Sequence, residues 1–259
     1  MTGVRTMRVS ENTPETPSIM TMRFDEAMDA APGQFAMVWV PGVDEFPMSL
    51  SYIGDRFGFS YQVVGEGTRA LAAKMPGDII GVRGPYGRPY PPSSGRILAV
   101  AGGTGMASLS PFIEHTLRNG ASVDLALGAR TAGELLFEER ARRAGANVSV
   151  STDDGSKGMK GFATALAESL MDKASYGCIV ACGPEPMITK MLRLARDRRI
   201  EMSASLERYM KCGIGICDSC AMDGMHVCTD GPVFSLAQLE SMGDLGRWKL
   251  DRCGARVKL

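Results

Sequence analysis

Four cysteines in one short stretch are the residues whose types and spacing point most directly to chemistry. The stretch 211–228 reads KCGIGICDSCAMDGMHVC. Its four thiols belong to Cys212, Cys217, Cys220 and Cys228. The first three follow the C-x4-C-x2-C spacing at which thiolates bind a [2Fe-2S] cluster. Gly213 and Gly215 lie between the first two cysteines, where glycine lets a tight loop turn with positive φ and approach the inorganic sulfides closely. The spacing therefore predicts an iron-sulfur site.

A structural zinc site is the alternative that the same cysteines leave open, because zinc also uses C-x2-C pairs. Zinc sites with four cysteines usually combine two short knuckles, whereas Cys212 lies five positions before Cys217 with glycines between them. The pattern therefore favours iron-sulfur over zinc, and either metal site over free thiols.

Composition narrows the choice of partner and compartment. The chain has 259 residues, with 29 basic and 29 acidic side chains and a formal net charge of zero. Nothing in this balance favours nucleic acid or an anionic membrane surface as partner. No apolar run approaches the ~18 residues that a membrane span needs, and the first residues lack the apolar core of a signal peptide. Seven cysteines are too few for a disulfide scaffold at this length. We therefore expect a cytoplasmic protein.

The first ninety residues have the pattern of a small antiparallel β-barrel. Short runs of β-branched, aromatic or alternating residues are separated by proline and glycine. The predicted strands are 4–10, 18–24, 34–40, 48–53, 57–64 and the turn-rich run 77–87. The stretch 66–74, EGTRALAAK, is the only predicted helix in this half.

After the turn-rich stretch 89–95, strands alternate with helices. The predicted strands are 97–101, 122–127, 147–151, 178–181 and 201–206, and the predicted helices are 109–118, 134–144, 162–171 and 186–196. This alternation predicts a parallel sheet covered on both faces. The fold class is therefore multi-domain β plus α/β. It divides into a barrel domain over 1–92, a nucleotide-binding α/β domain over 93–206, and a small C-terminal [2Fe-2S] segment over 207–259.

Two glycine-bearing turns follow strands of the predicted α/β domain. Gly102, Gly103, Thr104 and Gly105 come directly after one strand and before a helix, where a dinucleotide pyrophosphate meets helix N-terminal amides. The sequence is not the G-x-G-x-x-G pattern, so a tight turn that needs glycine for packing stays open as an alternative. The second turn, within ACGPEPMI (181–188), lies at the same sheet edge, and a proline-initiated helix is its alternative.

The order of these motifs resembles the ferredoxin reductase-like flavoproteins, and among them the electron transfer subunits of NAD-linked dihydroorotate dehydrogenases. The motifs that carry the resemblance are PGQFAMVWVPG (32–42), PMSLSYI (47–53), VVGEGTRAL (63–71), GPYG (84–87), GGTGMA (102–107), GARTAGELLF (128–137), STDDGSKGMKG (151–161), CGPEPM (182–187), and SLERYMKCGIGICDSC (205–220) followed by VCTDGPVF (227–234). Together they span nearly the whole chain.

The resemblance implies an FAD site in the first domain. The family has an R-P-x-S segment against the flavin ring, and here Pro47, Met48 and Ser49 keep that pattern while Phe46 replaces the arginine. Ser49 is implied to lie near flavin N5. Tyr61, Gln62, Gly67 and Thr68 match further FAD-contacting positions. From the residues alone, Ser49 reads as an ordinary strand serine, and Gly67 with Thr68 as a helix cap.

The resemblance also implies an NAD site in the second domain. Gly102, Gly103, Thr104 and Gly105 match the nucleotide-binding turn, and Cys182 with Gly183 matches a motif that lies near the nicotinamide. Arg130 falls where the adenosine ribose is expected. Arginine there suits a 2′-phosphate, yet the GART sequence is similar to that of NADH-linked relatives, so we favour NAD.

The implied function is electron transfer between NAD(H), FAD and the [2Fe-2S] cluster. The implied partner is an FMN-containing dihydroorotate dehydrogenase catalytic subunit, in a heterotetramer of two catalytic and two electron transfer subunits that oxidises dihydroorotate to orotate in pyrimidine biosynthesis. One alternative is the flavin subunit of another NAD(P)H-linked oxidoreductase, such as a sulfhydrogenase or a transhydrogenase. Another is a non-enzymatic, zinc-stabilised interaction module.

Overall fold

The first part of the chain folds into a closed antiparallel barrel. The structure is a computed structural model that describes residues 3–259; residues 1 and 2, which the predicted first domain includes, lie outside the described residues. The barrel strands are β1 (Arg5–Pro14), β2 (Ile19–Phe24), β3 (Phe35–Val40), β4 (Asp44–Tyr52), β5 (Gly58–Gln62) and β6 (Ile79–Tyr86). They pair in the order β1-β2-β5-β4-β3-β6, and β6 returns to β1. The predicted barrel is confirmed, and the predicted helix is α1 (Glu66–Ala72).

Aromatic side chains fill the barrel. Phe24, Phe57 and Phe59 are fully buried, and the rings of Phe24 and Phe57 stack with centroids 4.6 Å apart. Phe24 ends β2 and Phe59 lies in β5, where the pleat turns alternate side chains to the interior, and Phe57 directly precedes β5. Burial of each such side chain contributes about 1.5–3 kcal/mol.

The second part is a parallel sheet with helices on both faces, as predicted. Its strands are β7 (Arg96–Gly102), β8 (Ser122–Ala129), β9 (Asn147–Thr152), β10 (Met159–Lys160), β11 (Cys178–Cys182) and β12 (Glu201–Ser205), and its helices are α2 (Gly105–Arg118), α3 (Glu138–Ala144), α4 (Ala163–Met171) and α5 (Glu185–Arg198). The parallel strands lie in the order β10-β9-β8-β7-β11-β12. One apolar core lies under α2 and α3, and another lies under α4 and α5.

Two helices begin elsewhere than the sequence predicts. The helix predicted over 109–118 begins at Gly105, directly after the glycine turn. The helix predicted over 134–144 begins only at Glu138, after a short 3-10 turn, Ala132–Glu134. Phe137 interrupts it because this residue adopts φ 56° and places its ring edge-on against Tyr52, with centroids 6.0 Å apart.

The segment after residue 206 packs against the α/β domain. Its elements are β13 (Ala221–Met222), β14 (Met225–His226), β15 (Val233–Ser235), α6 (Leu236–Ser241), β16 (Trp248–Leu250) and β17 (Arg256–Lys258). β15 pairs antiparallel with β12 and extends the sheet. The strand predicted over 201–206 is confirmed as β12, whereas β15 was not among the predicted strands; its Val233 and Phe234 bury their side chains at the sheet edge. The domain boundaries at 92/93 and 206/207 stay predictions.

A cation–π contact joins the barrel to the α/β domain. Tyr52 of β4 lies between two guanidinium groups, with Arg23 Cζ 4.2 Å and Arg140 Cζ 3.9 Å from the ring centroid. Arg140 belongs to α3 and also pairs with Glu114 of α2 at 2.7 Å. Arg23 belongs to the barrel, so only the Arg140 contact crosses between the domains; it contributes about 0.5–2 kcal/mol to holding the barrel against these two helices. No helix within residues 3–259 has the length and apolarity that crossing a bilayer requires.

Candidate functional site

The glycines of the GGTG turn (residues 102–105) serve two different purposes. A Cβ on Gly105 would overlap the Cys182 carbonyl, and a Cβ on Gly102 would lie 2.9 Å from Met187 Sδ. These two glycines are needed for close packing, which is the alternative that the sequence left open. Gly103 differs, since it has φ 55° and no described atom lies within 4 Å of its Cβ position. The turn therefore leaves open space beside Gly103.

A cavity of about 780 Å³ opens at the carboxyl ends of the parallel strands, where ligands of open α/β sheets bind. Residues that line it include Gly102, Gly103, Thr104, Arg130, Gly183 and Lys190. The first turn of α2 borders this larger cavity. Met106 N and Ala107 N of this turn donate to Gly103 O and Thr104 O at 3.4 and 2.9 Å, so the donors for a ligand are the preceding amides of Thr104 and Gly105. The larger cavity therefore combines room for a dinucleotide with donors and a positive partial charge for its pyrophosphate.

Arg130 lies at the larger cavity among carboxylates. Its Nε donates to Glu134 Oε2 at 3.0 Å, and its side chain is 69% exposed. Glu134 and Asp153 also line the larger cavity. The guanidinium charge is therefore balanced before any ligand binds.

Cys182 ends β11 with its side chain 2% exposed. Burial raises the pKa of its thiol to about 12, and the nearby charge of Glu207 acts in the same direction. The thiol is therefore protonated near neutral pH, unlike the thiolate of a nucleophilic cysteine.

A smaller cavity of about 320 Å³ lies between the barrel and the α/β domain. It brings together most of the residues that the resemblance assigns to the flavin, namely Pro47, Met48, Ser49, Tyr61, Gln62 and Thr68. Thr104, Cys182 and Glu207 complete the opposite wall. Residues 47–49 lie on β4 and residues 61–62 on β5, and these neighbouring strands pair antiparallel with Leu50 opposite Phe59.

The hydroxyl groups of Tyr61 and Thr68 already form hydrogen bonds within the first domain. The Tyr61 hydroxyl donates to Asn12 Oδ1 at 2.9 Å, and burial raises the pKa of Tyr61 to about 12. Thr68 Oγ1 accepts the amides of Val64 and Gly65 at 2.9 and 3.0 Å and so caps α1. The interpretation of Thr68 as a helix cap is confirmed for its hydroxyl.

Phe46 packs over the start of α1. A Cβ on Gly67 would lie 2.5 Å from Phe46 Cε1. Gly67 is therefore required for the Phe46 ring, which stands where the resemblance implies an arginine. Neither residue is among those that line the smaller cavity.

The two cavities meet at three shared residues, Gln62, Thr104 and Glu207. Sequence reasoning did not single out Glu207, which directly follows β12 and Leu206. Glu207 is an exposed residue because both cavities open beside it, while the protein atoms around its carboxyl group limit the hydration of the charge. Burial, together with the charge of Glu185, raises the pKa of Glu207. A titratable group therefore stands where ligands of the two cavities would meet.

The cluster loop (residues 212–220) turns as predicted. Gly213 and Gly215 have φ of 71° and 77°, a conformation that residues with a Cβ rarely adopt. The turn brings the amides of Ile214 and Ile216 to 3.4 and 3.5 Å from Cys212 Sγ. Hydrogen bonds to ligand sulfurs are among the features that set a cluster's potential.

A β-hairpin brings the last two cysteines together. β13 and β14 pair between Cys220 and Cys228 through a turn at Asp223 and Gly224, both with positive φ. An Asp-Gly pair between apolar residues is a strong hairpin pattern, and the sequence analysis did not use it. Val227 N then donates to Cys220 O at 3.3 Å.

The four thiols form an outer and a buried pair. Cys217 is exposed and Cys212 half-buried, whereas Cys220 and Cys228 are 2% and 1% exposed. Burial alone raises the pKa of Cys217, but hydrogen bonds with Ser219 and Cys212 outweigh it and lower the pKa to about 6, which favours a thiolate.

The division of the four thiols into two pairs bears on the metal group that they can hold. A [2Fe-2S] cluster needs only two thiolates at each iron. The outer and buried pairs therefore suit a binuclear cluster.

Two segments of the chain match known protein families, and the whole chain is similar to known proteins. Residues 207–240 match the family described as the iron-sulfur cluster binding domain of dihydroorotate dehydrogenase B, and residues 99–193 match the oxidoreductase NAD-binding domain. The chain is 42% identical over 252 residues to the probable dihydroorotate dehydrogenase B (NAD(+)), electron transfer subunit, of Methanocaldococcus jannaschii, and the match covers 96% of each chain. The protein of that name from Methanocella arvoryzae is 42% identical over 257 residues, with 97% of each chain covered.

A solved structure extends the similarity to the whole fold. The NADH-dependent reduced ferredoxin-NADP oxidoreductase superposes with a TM-score of 0.83 at 27% identity, covering 93% of this chain and 91% of that chain. The curated relatives match over the barrel, the α/β domain and the cysteine-rich segment alike. The chain therefore belongs to the family of dihydroorotate dehydrogenase B (NAD(+)) electron transfer subunits, oxidoreductase components with an NAD-binding and an iron-sulfur domain.

Proposed function

We propose that this chain passes electrons between NAD(H) and the FMN-containing catalytic subunit of a dihydroorotate dehydrogenase, by way of FAD and a [2Fe-2S] cluster. The observation that carries the proposal is the junction of the two cavities at Gln62, Thr104 and Glu207. When bound, FAD exchanges a hydride with NAD(H) and exchanges electrons singly with the cluster. The chain's own residues bind these groups, orient them and exclude water.

The larger cavity receives the nicotinamide nucleotide. The amides of Thr104 and Gly105 hold its pyrophosphate, with Gly103 providing the space. The neutral thiol of Cys182 and the backbone of Gly183 border the nicotinamide. Arg130 lies beside the adenosine ribose, where Glu134 holds its guanidinium. A 2′-phosphate would approach this carboxylate, so the site favours NAD over NADP.

The smaller cavity receives the flavin of FAD. The hydroxyl of Ser49 lies near flavin N5, while Pro47, Met48, Tyr61 and Gln62 flank the ring system. Gly67 and Thr68 border the pyrophosphate. Because Phe46 covers Gly67 in place of the family arginine, FAD binding depends there on backbone donors and apolar contact.

The cysteine-rich segment holds the cluster. The buried pair, Cys220 and Cys228, would hold one iron, and the outer pair, Cys212 and Cys217, would hold the other. The outer pair lies next to Ile216, whose side chain is 78% exposed. This edge is where electrons leave the chain.

The assembly comprises two catalytic and two electron transfer subunits in the cytoplasm. The names of the curated relatives, which describe a subunit of dihydroorotate dehydrogenase B, support the presence of a catalytic partner subunit.

Anaerobic absorption and EPR spectra of the purified chain test the proposal. We expect flavin and iron-sulfur bands that NADH bleaches, a rhombic EPR signal after reduction, and slower bleaching by NADPH. A colourless protein that takes up one zinc and cannot be reconstituted with FAD, iron and sulfide would refute the proposal and leave the zinc module.

Two matched cysteine variants test the cluster ligands. Cys217→Ser should remove or alter the EPR signal because it replaces a thiolate ligand. Cys253→Ser is the control, since Cys253 is also exposed but lies outside the cluster loop. Equal spectra for both variants would contradict the assignment.

A further inference from the structure

Arg83 of β6 reaches from the barrel to the first cysteine of the cluster loop. Its Nη1 donates to the Cys212 carbonyl oxygen at 2.6 Å. Its other nitrogens form a two-pronged ion pair with Glu45 of β4, with Nε to Oε1 at 2.6 Å and Nη2 to Oε2 at 2.7 Å. The guanidinium is therefore held by one strand of the barrel while it holds a loop 129 residues away in sequence.

The surroundings keep this arrangement rigid. The Arg83 and Glu45 side chains are only 15% and 26% exposed, so water screens their charges less than at the open surface. The loop also packs on the barrel beside them, since a Cβ on Gly213 would lie 2.9 Å from Met37 Cγ. A bidentate arginine–carboxylate pair fixes the guanidinium plane as well as its position.

We infer that Arg83, oriented by Glu45, is a positioning residue that holds the cluster loop against the flavin-binding barrel and contributes to the cluster potential. This inference rests on the proposed function. Arg83 touches the backbone of a ligand residue and not the sulfur, so it acts through Cys212. Partners of this kind, outside the ligand set, typically change metal affinity or activity by about 10- to 100-fold when they are replaced.

The two members of the pair have opposite charges, and this makes their effects separable. An added electron is stabilised by positive charge and destabilised by negative charge. Removal of the Arg83 charge leaves Glu45 unpaired near the loop, which should lower the midpoint potential of the cluster. Removal of the Glu45 charge leaves Arg83 unpaired, which should raise it. A role confined to stabilising the fold would shift both variants in the same direction or neither.

The experiment compares Arg83→Gln, Arg83→Lys and Glu45→Gln with the wild-type chain, all purified with flavin and cluster bound. Arg56→Gln is the matched control, because Arg56 forms ion pairs with Glu11 and Asp25 on the same barrel and none with the cluster loop. The measurements are the cluster midpoint potential by EPR-monitored titration, the rate of cluster loss to a chelator, and the rate of flavin reduction by NADH.

We expect Arg83→Gln to lower the potential and to lose its cluster about 10- to 100-fold faster, with flavin reduction by NADH unchanged. Arg83→Lys should keep the midpoint potential near the wild-type value, because lysine keeps the positive charge. It should still lose the cluster faster than the wild-type chain, because an ammonium group cannot donate the two parallel hydrogen bonds of a guanidinium. Glu45→Gln should raise the potential.

Potentials that move in the same direction for Arg83→Gln and Glu45→Gln, or values equal to those of Arg56→Gln, would overturn the inference. Failure of the proposed function would appear differently, as a wild-type chain without flavin or cluster. The two failures are therefore distinguishable in the same preparation.

Discussion

The glycine turns provide a matched pair of substitutions that separates packing from ligand binding. Gly103 and Gly105 belong to the same turn, yet a Cβ at each would meet different surroundings. At Gly105 the methyl group of alanine would overlap the Cys182 carbonyl and lie 2.7 Å from Gly183 N. At Gly103 it would enter the open space of the larger cavity. We therefore predict that Gly105→Ala lowers stability and that Gly103→Ala lowers nucleotide affinity.

The magnitudes follow from what each methyl group meets. Backbone atoms cannot swing aside, so Gly105→Ala should cost about 2–3 kcal/mol, as overpacking in a tight core does. Gly103→Ala should cost about 1 kcal/mol, because alanine must take the left-handed φ of 55°. In a chain of this size each kcal/mol lowers the melting temperature by about 2–4 °C. Loss of one charge-assisted hydrogen bond to the pyrophosphate, about 1.5–3 kcal/mol, should weaken NADH binding about tenfold or more in Gly103→Ala.

Thermal unfolding followed by circular dichroism gives the change in stability. The NADH concentration dependence of flavin reduction gives the change in nucleotide affinity. The reasoning fails if Gly105→Ala melts at or above the temperature of Gly103→Ala. It also fails if flavin reduction in Gly103→Ala reaches half its maximal rate at the same NADH concentration as in the wild-type chain. The space beside Gly103 would then not be where the pyrophosphate binds.

Three further substitutions, one of them with a matched control, test the charged groups of the chain. Burial raises the pKa of Glu207 in the folded chain. The stability that depends on its protonated form is therefore fully present below the pKa of the unfolded chain and is lost as the pH rises through the pKa of the folded chain. Glu207→Gln removes the ionisable group, so it should raise the melting temperature more at about pH 8 than at about pH 5. Glu185→Ala leaves Arg208, 2% exposed, without its ion-pair partner and should cost about 3–5 kcal/mol in denaturant unfolding, whereas Asp197→Ala, which breaks an exposed pair, should cost under about 0.5 kcal/mol. Glu134→Gln should lower the KM for NADPH about fivefold relative to NADH, because unit charges ~4 Å apart in water interact by about 1 kcal/mol; an unchanged ratio would place the ribose elsewhere.

Local patterns were sufficient to predict most elements. Alternation and glycine punctuation identified the barrel, and strand-helix alternation identified the parallel sheet. The positive φ predicted for Gly213 and Gly215 follows from their own chemistry and is confirmed. β15 was missed because a strand of three residues is too short for a period to appear, and only its pairing with β12 makes it a strand.

Contacts between distant segments account for what the sequence could not predict. Phe137 reads as a helical residue, but its contact with Tyr52, on the other domain, stops the helix from beginning earlier. The ligand assignments carried over from the resemblance stay predictions, although the smaller cavity brings Ser49 and Gln62 together. Glu207 belongs to no motif that predicts a ligand contact. Only the fold shows that its side chain lies where the two cavities meet.

The C-terminal segment is joined to both preceding domains, and this constrains how the chain can move. β15 is a strand of the α/β sheet, while Arg88 N of the barrel side donates to Gly231 O at 2.6 Å and Arg83 holds Cys212 O. A rotation that opened the cleft between the barrel and the sheet would have to break one of these attachments. Each attachment lies close in sequence to a cluster cysteine: Arg83 binds Cys212 itself, while Gly231 and β15 closely follow Cys228. The position of the cluster loop relative to the smaller cavity is therefore fixed by the same contacts that hold the two domains together.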